Sequence, residues 1–121
     1  MEEQKDLVTA VVAEGATKIG SVAFFGCSSL MEVKLPGTVE VIGKSAFDGC
    51  SSLRGELTLP DSLKRIERSA FWGCSKLESI HFPAASSLLE FVHKDAFIGC
   101  KPSAIPSDII KKWKLVLREE G

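Results

Sequence analysis

The residues best equipped for chemistry in this 121-residue chain are four cysteines and two histidines. Cys27, Cys50, Cys74 and Cys100 recur at intervals of 23, 24 and 26 residues. Zinc sites draw thiolates from close C-x₂₋₄-C pairs folded onto one point. Cysteines a full period apart along one axis do not converge on such a point, so no metal is expected. A disulfide between neighbouring turns requires Cα atoms within about 7 Å. The favoured expectation is a column of buried free thiols, since free Cys is among the most buried residue types. His81 and Ser79 fall on the same side of a candidate strand, but no carboxylate sits at a matching position. A nucleophile needs an oriented base and a third group behind it, and no pocket is implied. No catalytic residue, cofactor or enzymatic activity is therefore expected.

Composition narrows the classes further. Apolar residues make up 45% and charged residues 26%, which supports a buried core, and the net charge is −1. That balance supplies no global attraction to nucleic acid. Lys111-Lys112-x-Lys114, followed by Glu119-Glu120, reads as a solvated face. No apolar run approaches the length of a membrane span. The opening Met-Glu-Glu-Gln-Lys-Asp has neither the basic start nor the apolar segment of a secretory signal. An intracellular location is expected, or the extracellular surface if the true N-terminus is processed or missing.

The cysteines belong to an internal repeat, and the repeat must position everything else. Ile19-Gly20-Ser21-Val22-Ala23-Phe24-Phe25-Gly26-Cys27 aligns with 42–50, 66–74 and 92–100. After each of the first three cysteines comes a second block: Leu30-x-x-Val33-x-Leu35-Pro36, Leu53-x-x-x-Leu57-x-Leu59-Pro60, and Leu77-x-x-Ile80-x-Phe82-Pro83. Apolar residues alternating with polar ones have the strand period, and the proline ends the strand. The Ala-Phe-x-Gly block suits a short helical turn closed by a left-handed glycine. The repeats differ by one extra residue near Arg54-Gly55 and three more around residues 84–89.

One such unit has no core of its own, but stacked units turn each repeated position into a continuous apolar column. Phe24, Phe47, Phe71 and Phe97 form one column, and Cys27, Cys50, Cys74 and Cys100 another. Residues 1–18 read as an N-terminal partial repeat, with Leu7, Ala10 and Val12 in the strand positions and Ala13 where the proline would stand. Residues 19–104 hold the repeats and residues 105–121 a capping helix. In that helix Ser107 is the expected N-cap and Ile109, Ile110, Trp113 and Leu117 share one face.

These repeats resemble the BspA-type leucine-rich repeat, whose pattern is close to Ile-Gly-x-x-Ala-Phe-x-Gly-Cys-x-x-Leu-x-x-Ile-x-Leu-Pro, over about residues 7–100. The resemblance implies an α/β repeat fold: a curved leucine-rich-repeat solenoid with a parallel concave sheet and short helical turns on the convex side. It implies adhesion or protein–protein binding. Glu32, Lys34, Glu56, Thr58, Ser79 and His81 are the candidate partner-binding residues on the concave face. Phe25, Trp72 and Ile98, between Phe and Gly of their repeats, are the candidates on a convex edge, where a contiguous apolar patch would mark an interface. The expected function is a non-catalytic scaffold that binds a protein partner of unknown identity. The alternatives are an accessory subunit of a larger complex and a fragment of a surface adhesion protein.

Overall fold

The computed structural model describes residues 8–84 and 88–118. Eight short strands succeed one another: β1 (Thr9–Val11), β2 (Lys18–Ile19), β3 (Glu32–Lys34), β4 (Val41–Ile42), β5 (Arg54–Thr58), β6 (Arg65–Ile66), β7 (Lys76–His81) and β8 (Phe91–Val92). The alternation seen in sequence makes β1, β3, β5 and β7, which bury Ala10, Val33, Leu57 and Ile80 and expose the residues beside them, except the half-buried Ser79. β3, β5 and β7 stop within two residues of Pro36, Pro60 and Pro83.

Two features differ from the sequence expectation. Each repeat carries a second strand. β2, β4, β6 and β8 form a continuous four-stranded parallel ladder, with Ile19, Ile42, Ile66 and Val92 in register. A two-residue strand is too short to display a period, so alternation could not announce it. The Ala-Phe-x-Gly segments, expected as helical turns, are chains of tight turns. Their amides split into two sets. Ala23, Phe25 and Cys27 donate within the turn to the C=O of Gly20, Val22 and Phe24. Val22, Phe24 and Gly26 donate to the C=O of Lys44, Ala46 and Asp48 of the next turn, at 2.9, 2.7 and 2.8 Å. A helix would consume all of these donors internally, whereas here half of them join one turn to the next.

The sheet side made by β1, β3, β5 and β7, expected to be the concave one, is parallel but not continuous. β1 pairs with β3 and β5 with β7, while β3 and β5 are not paired. At the first junction Val12 N–H donates to Lys34 O (3.0 Å), and at the third Leu59 N–H donates to His81 O (2.9 Å). The corresponding bond from Leu35 N–H to Thr58 O is absent. Among the described residues, the one backbone bond across that junction is Arg54 N–H to Met31 O at 3.2 Å, before the extra residue. Gly55 then turns the chain through φ +76°. The β5–β7 register slips at the same point: Gly55 pairs with Leu77 and Glu56 with Ser79, which leaves Glu78 of β7 unpaired in the ladder. An inserted residue in a strand bends it and disrupts its ladder. Here β5 keeps its pairing with β7 and leaves β3.

The interior is a set of stacked columns with no buried polar side chain among the described residues. The rings of Phe24, Phe47, Phe71 and Phe97 lie 5.1, 5.2 and 5.2 Å apart between successive centroids, within 7° of parallel. Phe24 is only partly buried, since no further ring covers its outer face. At the other end a 3₁₀ turn (Pro102–Ala104) and α1 (Ser107–Trp113) lie against the last turn. Pro106, not Ser107, occupies the N-cap, and the helix stops after seven residues at Lys114, which is left-handed with φ 56°. Ile109, Ile110 and Trp113 pack on the core from the helix, and Leu117 does so from the extended segment beyond it. That segment joins the stack through Val116 N–H to Lys94 O and Gly99 N–H to Leu117 O, both 2.8 Å. The expectations resting on Leu7, on residues 1–6 and on Glu119-Glu120 lie outside the described residues.

Candidate functional site

Strand alternation places Glu32, Lys34, Glu56, Thr58, Ser79 and His81, the candidates for a concave face, on the outer side of β3, β5 and β7, all exposed except the half-buried Ser79. Parallel register sets Glu56 beside Ser79 and Thr58 beside His81. Lys34 Nζ and Glu32 Oε2 form an ion pair at 3.5 Å. His81 Nε2 lies 3.0 Å from Glu56 Oε1 and 3.5 Å from Ser79 Oγ. Both contacts fall on the same ring nitrogen. A relay needs the hydroxyl on one nitrogen and the carboxylate on the other, so this trio does not constitute one.

The break between β3 and β5 converts part of this face into a groove of ≈ 530 Å³. Glu32, Lys34, Glu56 and Thr58 all line it. Arg54 and Asp61 line it as well. Sequence reasoning did not nominate them, although the extra residue beside Arg54 was the signal available. Ser79 and His81 line a second groove of ≈ 440 Å³, closed by Ile105, Pro106 and Asp108 of the C-terminal segment. The six concave candidates are thus divided between two grooves.

The convex column places Phe25, Asp48, Trp72 and Ile98 on successive turns. Phe25 is 59% exposed, whereas Trp72 and Ile98 are half-buried. Asp48 interrupts the column between Phe25 and Trp72. Besides Phe25, the exposed large apolar residues of the first turn are Val8, Val11 and Val22.

The cysteines are buried and free. Three thiols donate to the turn before them: Cys50 Sγ to Phe24 O (3.2 Å), Cys74 Sγ to Phe47 O and Cys100 Sγ to Phe71 O (both 3.3 Å). Loss of solvation pushes Cys50 and Cys100 up to about 12 and holds Cys74 well above the ordinary thiol value. A thiol needs its anion to attack or to bind metal, so the column is chemically quiet. Among the described residues, no three His, Cys, Asp or Glu side chains converge on a metal position. No described helix is long and apolar enough to cross a membrane.

The family model of the BspA type leucine rich repeat region matches residues 3–111 in six copies, and the chain belongs to that family. A leucine-rich repeat protein from Bacteroides ovatus is similar at 37% identity and TM-score 0.69, over 78% of this chain and 23% of that one. The Treponema pallidum protein TpLRR is similar at 33% identity and TM-score 0.66, over 76% of this chain and 44% of its own. A leucine rich cell surface protein from Faecalibacterium prausnitzii shares the fold at 21% identity and TM-score 0.64, over 93% of this chain and 35% of that one. The chain therefore spans less than half the length of these solved structures. No curated protein shows significant similarity to it. Leucine-rich repeats are in general non-catalytic protein-interaction folds, and the stacked architecture described above is of that class.

Proposed function

We propose that the chain is a binding scaffold whose partner is a polypeptide, seated on the concave face along the split between β3 and β5. One observation carries this reading: the missing Leu35-to-Thr58 bond leaves a donor and an acceptor on facing strand edges, within a groove that four candidate residues already line. An extended backbone satisfies such edges by strand addition. Glu32, Lys34, Glu56 and Arg54 supply side-chain selection beside them.

A second reading, the accessory subunit, draws on the first turn. Val8, Val11, Val22 and Phe25 are exposed there, and Phe24 is only partly buried. One experiment separates the two. A displayed random-peptide library is panned on the native chain and on a variant lacking Gly55, which restores the shorter repeat. Peptides held by the split bind the native chain at least about tenfold more tightly, and they survive Phe25→Asp. Peptides indifferent to the deletion but lost in Phe25→Asp assign the interface to the first turn instead. Failure of any peptide to discriminate between native chain and deletion contradicts the concave reading.

A further inference from the structure

The continuous ladder carries a feature unrelated to the concave face. Outside β2, β4 and β6, successive turns set Gly20, Gly43 and Glu67 in one column and Ser21, Lys44 and Arg68 in the next. A groove of ≈ 390 Å³ opens over Gly43, flanked by Lys18, Ser21, Lys44, Glu67, Arg68 and His93. The close approach of the preceding turn requires glycine at this position. A Cβ built at Gly43 would stand 2.8 Å from both Ile19 O and Ser21 N.

The polar lining is almost wholly composed of donors. Glu67 is the one carboxylate in it, and Arg65 Nε already holds that group at 2.8 Å. Among the described residues, Lys18, Lys44 and Arg68 have no ion-pair partner. His93 Nδ1 accepts Asp95 N–H at 3.0 Å, which leaves Nε2 to carry the ring proton and donate. Ser21 adds a hydroxyl. Three cations without an ion-pair partner outnumber the one carboxylate, Glu67, which Arg65 already engages, and together they form a local anion site on a chain of net charge −1. Parallel stacking holds Lys44 and Arg68 one strand spacing apart, about 4.8 Å. Adjacent turns can thus each meet one oxyanion of a doubly substituted ligand, and the guanidinium fork suits a tetrahedral oxyanion in particular.

We propose that the groove over Gly43 binds a compact polyanion carrying two tetrahedral oxyanion groups, either a diphosphate or a disulfated sugar. The site is separate from the concave split and stands whether or not a peptide binds there. Calorimetric titration of the full chain with inorganic pyrophosphate, and in parallel with a disulfated heparin-type disaccharide, tests it. The expected result is saturable one-to-one binding of at least one probe, the tighter probe identifying the source of the oxyanions. Lys44→Gln and Arg68→Gln each weaken it by about tenfold, as loss of a charge-assisted contact does. Lys34→Gln, on the concave face, leaves it unchanged. Thermal melting of each variant at the native temperature shows that the fold is intact. The proposal is overturned if neither probe saturates at millimolar concentration. It is equally overturned if Lys44→Gln and Arg68→Gln leave binding unchanged, or if Lys34→Gln reduces it as much as they do.

Discussion

Val22 holds φ at 56°, the conformation that Ser45 and Ser69 adopt on the next two turns. Left-handed backbone at a non-glycine residue costs on the order of 1–3 kcal/mol, and β-branching makes Val the least suited of the three. The residue is 58% exposed, so little packing is at stake. Val22→Asn is expected to stabilise the chain by about 1 kcal/mol, because Asn tolerates this region; urea unfolding measures it. The thiols make a second residue-scale prediction. In the unfolded chain they titrate near 9.0, whereas Cys50 and Cys100 titrate near 12 when folded. Folding is therefore unaffected by these groups below pH 9 and is lost progressively as pH rises from 9 toward 12. The expected slope is about 1.4 kcal/mol per pH unit for each thiol. Denaturant titrations at pH 8, 9.5 and 10.5 follow it, and a flat stability over that window contradicts it. Composition and spacing revealed the cysteine column because one residue type returned every turn. Nothing in the sequence marked Val22, since its conformation is imposed by the ladder above it.

At the scale of elements, spacing spoke clearly where a period was long enough to read. The alternation ending in Pro36, Pro60 and Pro83 yields β3, β5 and β7 directly. The two-residue strands and the turn ladder were not legible, because their order comes from bonds between turns. The helical-turn expectation for Ala-Phe-x-Gly is met in part: Gly26, Gly49, Gly73 and Gly99 are left-handed as expected, but half of the donors a helix would use are taken by the neighbouring turn. The cap was legible as an apolar face but not in extent, since Lys114 ends the helix before Leu117. Stacking also sets the cost of damage. Phe71 has a parallel ring on each side, at 5.2 Å in both directions. Phe71→Ala is expected to lose about 3–5 kcal/mol, seen as a fall in the denaturation midpoint. A loss below about 1 kcal/mol would mean that the column does not carry the core.

For the molecule as a whole, repetition supplies the stability and irregularity supplies the sites. The split between β3 and β5 follows from one extra residue, and the cationic groove follows from Lys18, Lys44 and Arg68 gathered on successive turns. Repeat spacing exposed the extra residue beside Arg54, yet its consequence depends on which neighbour the displaced strand keeps. That choice is made by five paired residues of β5 on β7, and no local pattern encodes it. Amide hydrogen exchange by NMR measures the split most directly. Leu59 donates to His81 O, whereas Leu35, its counterpart one turn earlier, donates to nothing across the junction. Leu35 is expected to exchange at least about a hundredfold faster than Leu59, as unpaired and ladder amides do. Equal protection of the two amides would show an unbroken concave sheet and remove the basis for the groove.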